Sequence, residues 1–410
     1  MTLTIQQIYE RYSVRDFCRK VEIKRLKTDG TYETDWQNVE TLSGLKLLDK
    51  SVQSINYKLS NNSYNFGIVS VGNVILKLNS KNGQFDDESN SGSIFKNGYV
   101  RHESLVRIRD GYVDKYTDPN NPVEVYETVF QGFIDVTSQS TKVDDENLIQ
   151  DLQCIDMLSF LLKKYTLDDM GTLSSTDIDS LIYEILNRTE FTTFFTVDAL
   201  NINAGYNITS FDVTQYENQT ELLTLFQNIS IGHSFFYVKN EAFYYQEITT
   251  GNALSFTLDK KKLIKFAQYS SGINNVYEKF YWEEQPAITF TASPNKYNKS
   301  QTINIKGATD NTQRQNVLNK IGNVAKVQRR EFKVTMPYFM PVFIMDKITI
   351  NSPDIYPSDA FIWGVSRWGE GKRWRKSLKA DNIPNNQEWL VKDVKHSNYQ
   401  TQLLMQEIIV

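Results

Sequence analysis

Cysteine is nearly absent from this chain: Cys18 and Cys154 are the only two in 410 residues. Two are too few for a disulfide framework or a thiolate metal cluster, and each is expected to be a small buried thiol. A basic excess is missing as well. Forty-five Lys and Arg stand against 49 Asp and Glu, a formal net charge of −4, which disfavours a dedicated nucleic-acid binder because such a protein must neutralise phosphates. No apolar run reaches the length of a membrane span, and the opening MTLTIQQIYERYSVRDFCRK lacks the basic-then-apolar order of a secretion signal. The chain is therefore expected to be made in the cytoplasm and to be soluble. The HExxH pair of a metallohydrolase, the GxSxG elbow of a serine hydrolase and the GxxxxGK[ST] loop of a nucleotide enzyme are all missing.

What is present points to folded, β-rich domains. Hydrophobic residues make up 40% and charged residues 23% of the chain, a globular balance. The length suits two to four domains with several small cores. Aromatic residues reach 13%, with 23 Tyr and 23 Phe against only 9 Pro, and pleated sheet faces bury such rings well. In the first 150 residues, VEIK at 21–24, VILKL at 74–78, LVRIR at 105–109 and VFQGFIDV at 129–136 alternate apolar with polar side chains. That period of two predicts an antiparallel β-domain over 1–157, punctuated by turns such as Lys81-Asn82-Gly83.

From Asp151 the period changes. Leu152, Ile155, Leu158, Leu161 and Leu162 fall on one helical stripe. A second helix is predicted with Thr176 as cap and Ile178, Leu181, Ile182 and Ile185 inward. A third has Asn218 as cap, Leu222, Leu225, Phe226 and Ile229 inward, and Gly232 at its end. SFFYVKNEAFYYQEI then reads as a hairpin turning at Lys239-Asn240, so 158–258 is predicted to be an α+β domain. Strand character resumes after Lys260-Lys261-Lys262, with a helix over 310–322, and runs through FKVTM, FIMDKITI, EWLVKDVKH and QTQLLMQEIIV. This makes 259–410 a second β-domain, and the two outer domains a possible diverged pair.

Candidate chemistry is sparse. His102, His233 and His396 each lack spaced partners, so structural or exposed roles are favoured for all three. Asp86-Asp87-Glu88 lacks the alternating ligands of a calcium loop and reads as a solvated turn. Nothing calls for a cofactor or a metal. Paired carboxylates of the glycosidase kind are spatial and leave no sequence trace. The one dense feature is a hairpin-like stretch at 363–376 in which aromatics interleave with cations: Trp363, Arg367, Trp368, Arg373, Trp374 and Arg375. It reads either as cation–π contacts within its own domain or as a partner contact, with protein favoured over nucleic acid or sugar.

The segment at 74–112, followed by VFQGFIDV, resembles the N-terminal domain of bacteriophage tail hub proteins. The resemblance is carried by Leu78, Asn79, Gly83 and Phe85, then Gly98, Val106, Arg107 and Ile108, then Phe130, Gly132, Phe133, Ile134 and Asp135. The opening VEIKRLKTDGTYETDWQNV is similar to the family's first hairpin. By motif it covers roughly residues 20–160; beyond that only the layout matches.

The resemblance implies a mainly β fold with an inserted α+β domain between two tube-like antiparallel β-barrel domains. It also implies a structural virion protein without enzymatic activity, made in the host bacterial cytoplasm and placed in the virion tail. As a homotrimeric baseplate hub it would join a hexameric tail tube or distal tail protein to a threefold spike or central fibre. Its lumen would pass the tape-measure protein and, in transit only, DNA during genome ejection. Some members carry a C-terminal peptidase or fibre extension, and this chain ends shortly after the second expected barrel. The alternatives left open are a β-rich glycan-active or cell-wall hydrolase, and a receptor- or glycan-binding tail module with Trp368 and Trp374 as its platform.

Overall fold

The computed structural model describes residues 3–11, 16–48, 51–52, 55–59, 69–71, 74–144, 147–203, 208–230, 234–247, 252–259, 265–270, 276–283, 285–293, 296–327, 331–337, 339–351, 388–397 and 400–407. The chain opens with α1 (Ile5–Arg11), β1 (Phe17–Lys27), β2 (Gln37–Asn38), α2 (Val39–Ser43), β3 (Ile55–Leu59), β4 (Val69–Val71) and β5 (Val74–Asn79). It continues with β6 (Tyr99–Asp114), β7 (Val123–Asp144) and β8 (Asn147–Asp156). A mixed region follows: α3 (Met157–Lys164), α4 (Ile178–Leu186), α5 (Thr189–Thr192), β9 (Ile202–Asn203), α6 (Leu222–Ile229), β10 (Ser234–Lys239) and β11 (Ala242–Glu247). Then come β12 (Asn252–Asp259), β13 (Lys265–Ser270), β14 (Lys279–Trp282), β15 (Gln285–Thr291), β16 (Ser300–Ile303) and α7 (Asn311–Ala325). The last strands are β17 (Glu331–Met336), β18 (Asp346–Asn351), β19 (Glu388–Ser397) and β20 (Gln400–Glu407).

The fold is mainly β with an inserted α+β region. The first sheet has the order β2-β1-β6-β7-β8-β5, antiparallel throughout. Alternation explains its core face: Val21 and Ile23 of β1 pair with Ile108 and Val106 of β6, and all four are fully buried. The second sheet runs β12-β18-β19-β20-β17-β13, with β3 and β4 added beside β19. Its end strands, β12 and β13, are separated in sequence only by residues 260–264. Those residues reach about 20 Å at roughly 3.5 Å each, whereas a flat sheet would put the two edges ~24 Å apart at about 4.8 Å per strand. The sheet therefore curls until its edges approach, as a barrel wall does.

The structure departs from the expected division in three places. The β3–β4 hairpin, from the first segment, pairs with β19 of the last: Ile55 lies opposite His396 and Lys58 opposite Asp393. β12, expected in the middle domain, pairs in parallel with β18. Conversely, β14, β15, β16 and α7 pack with the middle region: Trp282, Ile303, Val317 and Leu318 share one core with Leu181, Ile185, Leu225 and Phe226. The two large sheets share the other core, in which Phe130 and Tyr112 lie with Phe339, Trp389 and Met405. Among the described residues there are thus two hydrophobic clusters, one common to both large sheets.

Local corrections have simple causes. Leu152 and Ile155 are not helical. β8 continues to Asp156 because it pairs on both sides, with Leu152 opposite Leu76 and Ile155 opposite Phe133. Asp156 then caps α3, accepting a hydrogen bond from the Ser159 amide at 3.0 Å. Asp177, rather than Thr176, caps α4 through Ser180. α6 begins after Glu221, not Asn218, and keeps its predicted buried face. The hairpin turn is Asn240-Glu241, both at positive φ of 51° and 59°, the geometry of a tight two-residue turn whose twist suits the flanking strands.

Candidate functional site

The tryptophan- and arginine-rich stretch with Trp363, Arg367, Trp368, Arg373, Trp374 and Arg375 lies outside the described residues, as do His233 and Gly232. His102 is half exposed, 3.8 Å from the Glu103 carboxylate. His396 is buried, its Nδ1 3.2 Å from Thr401 Oγ1 and its ring 5.2 Å from that of Phe339. Burial pushes this imidazole down to about 3, with the Arg19 charge adding to the effect, so it is neutral near pH 7. Cys154 is buried, and desolvation raises both thiols, Cys18 to about 12, leaving neither as an activated nucleophile.

Asp86 accepts a hydrogen bond from Asn90 and Asp87 one from the Ser89 amide, at 2.8 and 2.9 Å, so these acids organise their own turn. Among the described residues no group of three His, Cys, Asp or Glu is placed to hold a metal ion.

The motif residues of the first sheet are structural. Gly83 sits at φ +73° with Asn90 2.4 Å from where a Cβ would be, and the loop it closes drives Phe85 into the core. At Gly132 a Cβ would meet the Ile155 carbonyl oxygen at 2.1 Å, so the neighbouring strand passes over bare backbone.

Away from its core face, the first sheet carries an ion lattice. Glu22, 3% exposed, pairs with Lys20 at 2.9 Å and with Arg107 at 2.8 Å. The Arg107 guanidinium stacks on Trp36 at 4.5 Å. On the core face a two-pronged Arg19–Asp110 pair at 2.6 Å joins β1 to β6. The cationic partners hold Glu22 below the usual carboxylate range against the desolvation that opposes them. These pairs fix strand register, since each is buried enough that losing one partner strands the other.

A cleft of about 360 Å³ opens where the two large sheets meet the β10–β11 hairpin. Its walls are Glu127–Gln131 of β7, the hairpin tip Val238–Glu241, and the loop Pro341–Phe343; α1 and the start of α3 close its ends. The tip touches both sides. Glu241 lies 3.5 Å from Arg107 of the first sheet, and Lys239 Nζ 2.8 Å from Asp346 of the second. Six separate segments build this cleft, His396 among them, and no local pattern shows that they meet, so nothing in the sequence pointed to it.

No family model and no curated protein matches the sequence. Solved structures do match in fold. A tail protein from Neisseria meningitidis MC58 superposes with a TM-score of 0.52 at 8% identity, over 96% of each chain. A chain of the lidded Francisella PdpA–VgrG complex gives 0.50 at 10% identity, over 98% of this chain and 55% of that one. The 43 kDa tail protein of prophage MuSo2 from Shewanella oneidensis gives 0.47 at 11% identity, over 95% of this chain and 97% of that one. The fold is therefore shared with the Neisseria tail protein, at 8% sequence identity.

Proposed function

We propose that this chain is a structural component of a bacteriophage-type tail, the trimeric hub that joins the hexameric tube to the threefold tip, and that it carries no catalytic activity. The observation that carries the reading is the near full-length likeness in fold to the Neisseria tail protein. It agrees with the motif order of the first sheet, and the association of VgrG with PdpA in the Francisella neighbour supports a spike-side partner.

Three copies, each supplying two large sheets, would make a ring of six walls. Such a ring matches sixfold symmetry above and threefold symmetry below, with a lumen for the tape-measure protein and DNA. The shared hydrophobic core of the two sheets suits this role, because a rigid subunit keeps both walls at a fixed angle. In this reading the tryptophan-rich stretch contacts a tail partner, so Trp368→Ala with Trp374→Ala should weaken assembly.

The test is the mass of the purified chain in solution, alone and with its cognate tube protein, with electron-microscope class averages. A trimer, or a ring of six lobes on the tube end, is expected. A monomer that ignores the tube under all conditions, or measurable hydrolysis of cell-wall glycan, would overturn it.

A further inference from the structure

The junction cleft is charged in an unbalanced way. Lys239 is committed to Asp346 and Glu241 faces Arg107. Two carboxylates remain, Glu127 at the mouth and Asp156 at the start of α3, and neither has an ion-pair partner among the described residues. Asp156 is engaged with the Ser159 side chain and with amide groups at the head of its own helix. Desolvation raises Asp156 to about 6 and pushes Glu127 upward too, with Lys239 and Arg109 only partly offsetting the latter. A cation placed beside either carboxylate would favour its ionised form. The rest of the lining is mixed: Ile5, Val129, Phe130, Met157, Val342 and Phe343 are apolar, while Thr4, Gln6, Thr128, Gln131, Asn240 and His396 are polar.

We infer that the cleft receives a lysine or arginine side chain from a partner polypeptide, its alkyl stem over Met157, Val129 and Phe343 and its cationic head between Glu127 and Asp156. Long cationic side chains suit such a lining because the stem is apolar and the head is charged. A volume of about 360 Å³ equals roughly twelve waters at about 30 Å³ each, room for a cationic residue and one apolar neighbour.

A hydrated divalent ion fits poorly: half of the wall is apolar, and no third ligand is placed beside the two carboxylates among the described residues. An anionic partner such as nucleic acid is repelled. The position suits recognition as well, since binding sites favour junctions between structural units, and an occupant here would touch both large sheets and the hairpin at once. The inference does not depend on the tail reading, because it concerns the chemistry of the contact alone.

The experiment is a titration of the full chain with acetyl-leucyl-arginine amide, followed by methyl NMR at Ile5, Val129 and Met157. The neutral citrulline peptide and agmatine serve as comparisons. The arginine peptide is expected to shift those methyls and the citrulline peptide to leave them unmoved. Glu127→Gln with Asp156→Asn should weaken binding by about tenfold, the loss expected for hydrogen bonds to a charged group. Asparagine caps helices as well as aspartate, so the double variant keeps α3 and the loss is not one of folding.

Equal binding of the citrulline peptide, unchanged affinity in the double variant, or no shift at saturating peptide would each overturn the inference. Agmatine binding as tightly as the peptide would replace the partner polypeptide with a small amine. A chain that forms the ring yet ignores the arginine peptide would sink this inference alone, and one that binds the peptide but never assembles would sink only the hub.

Discussion

The two large sheets are built from the same kind of strand but assembled in opposite ways. In the first, β6, β7 and β8 follow one another along the chain, each hydrogen-bonded to the next. In the second, strands are gathered from Ile55 to Glu407: β12 lies parallel to β18, and β3 reaches across from the other end of the sequence to sit beside β19. Alternation of apolar and polar side chains specifies that a strand exists and which face is buried; it does not specify the neighbour. Local pairing makes the first sheet readable, and long-range pairing hides the second. Yet both sheets end in one core, so the difference in assembly should not appear as a difference in stability.

That expectation is the first way to break the comparison, and carries the largest effect. Phe130 in the first sheet and Trp389 in the second are both fully buried, Trp389 edge-on to Phe332 at 4.8 Å. Replacing either by Ala should cost about 3–5 kcal/mol. Because the core is shared, each variant should shift a single unfolding transition seen equally by hydrogen exchange in both sheets. Two transitions, only one of which moves, would show that the sheets are independent domains after all.

Backbone crowding acts at the next scale, within the first sheet. Gly132→Ala forces a methyl group to within 2.1 Å of the Ile155 carbonyl, and β7 and β8 must part, at a cost of about 3 kcal/mol. Gly30, in an open turn at φ +81° with nothing within 4 Å of a Cβ, should lose only about 1 kcal/mol on the same change. Chemical denaturation of the two variants measures the gap, and equal losses would mean that β8 yields easily.

How much of this was legible follows the same division. The buried faces of α4 and α6 and the presence of α7 were readable because helical spacing is local. Leu152 and Ile155 misled: their spacing also fits a helix, and only the pairing of β8 with β5 and β7 decides for strand. The allocation of β3, β12 and β14–β16 was hidden, because partner choice rests on contacts about ninety or more residues apart. The junction cleft was hidden for the same reason, its charges meeting from β7, α3 and the β10–β11 hairpin.

Acid titration sharpens the contrast by sign. His396, in the second sheet, stays neutral in the fold down to about 3, whereas the unfolded chain takes up its proton near 6.5. Its contribution is therefore present above pH 6.5 and is lost as pH falls from there to about 3. Asp156, at the end of the first sheet, is raised to about 6 from its ordinary 3.8. The fold binds this proton more tightly, so the residue favours the fold most below pH 3.8, and that contribution is lost as pH rises to about 6. His396→Gln should flatten the acid side of the stability profile, and Asp156→Asn should raise relative stability toward neutral pH. Opposite or absent changes in urea midpoints between pH 4 and 7 would contradict these assignments.

The smallest effects lie at the hairpin tip, where one element is tied to both sheets with unequal strength. Lys239 meets Asp346 at 2.8 Å, and that carboxylate is 2% exposed and also accepts the Phe343 amide at 2.8 Å. Removing the lysine leaves a buried charge without the one ion pair it has among the described residues, so Lys239→Ala should cost about 1–2 kcal/mol. Glu241 meets Arg107 at 3.5 Å with its side chain 51% exposed, and Arg107 keeps Glu22 at 2.8 Å. Glu241→Ala should therefore cost less than about 0.5 kcal/mol. Because the stronger tie holds the second sheet, salt should weaken the contact with the first sheet before the other, screening the exposed pair more than the buried one. Double-mutant cycles for both pairs at low and high salt measure this ordering. A Glu241–Arg107 coupling as large and as salt-resistant as that of Lys239–Asp346 would mean that the hairpin braces the two sheets equally.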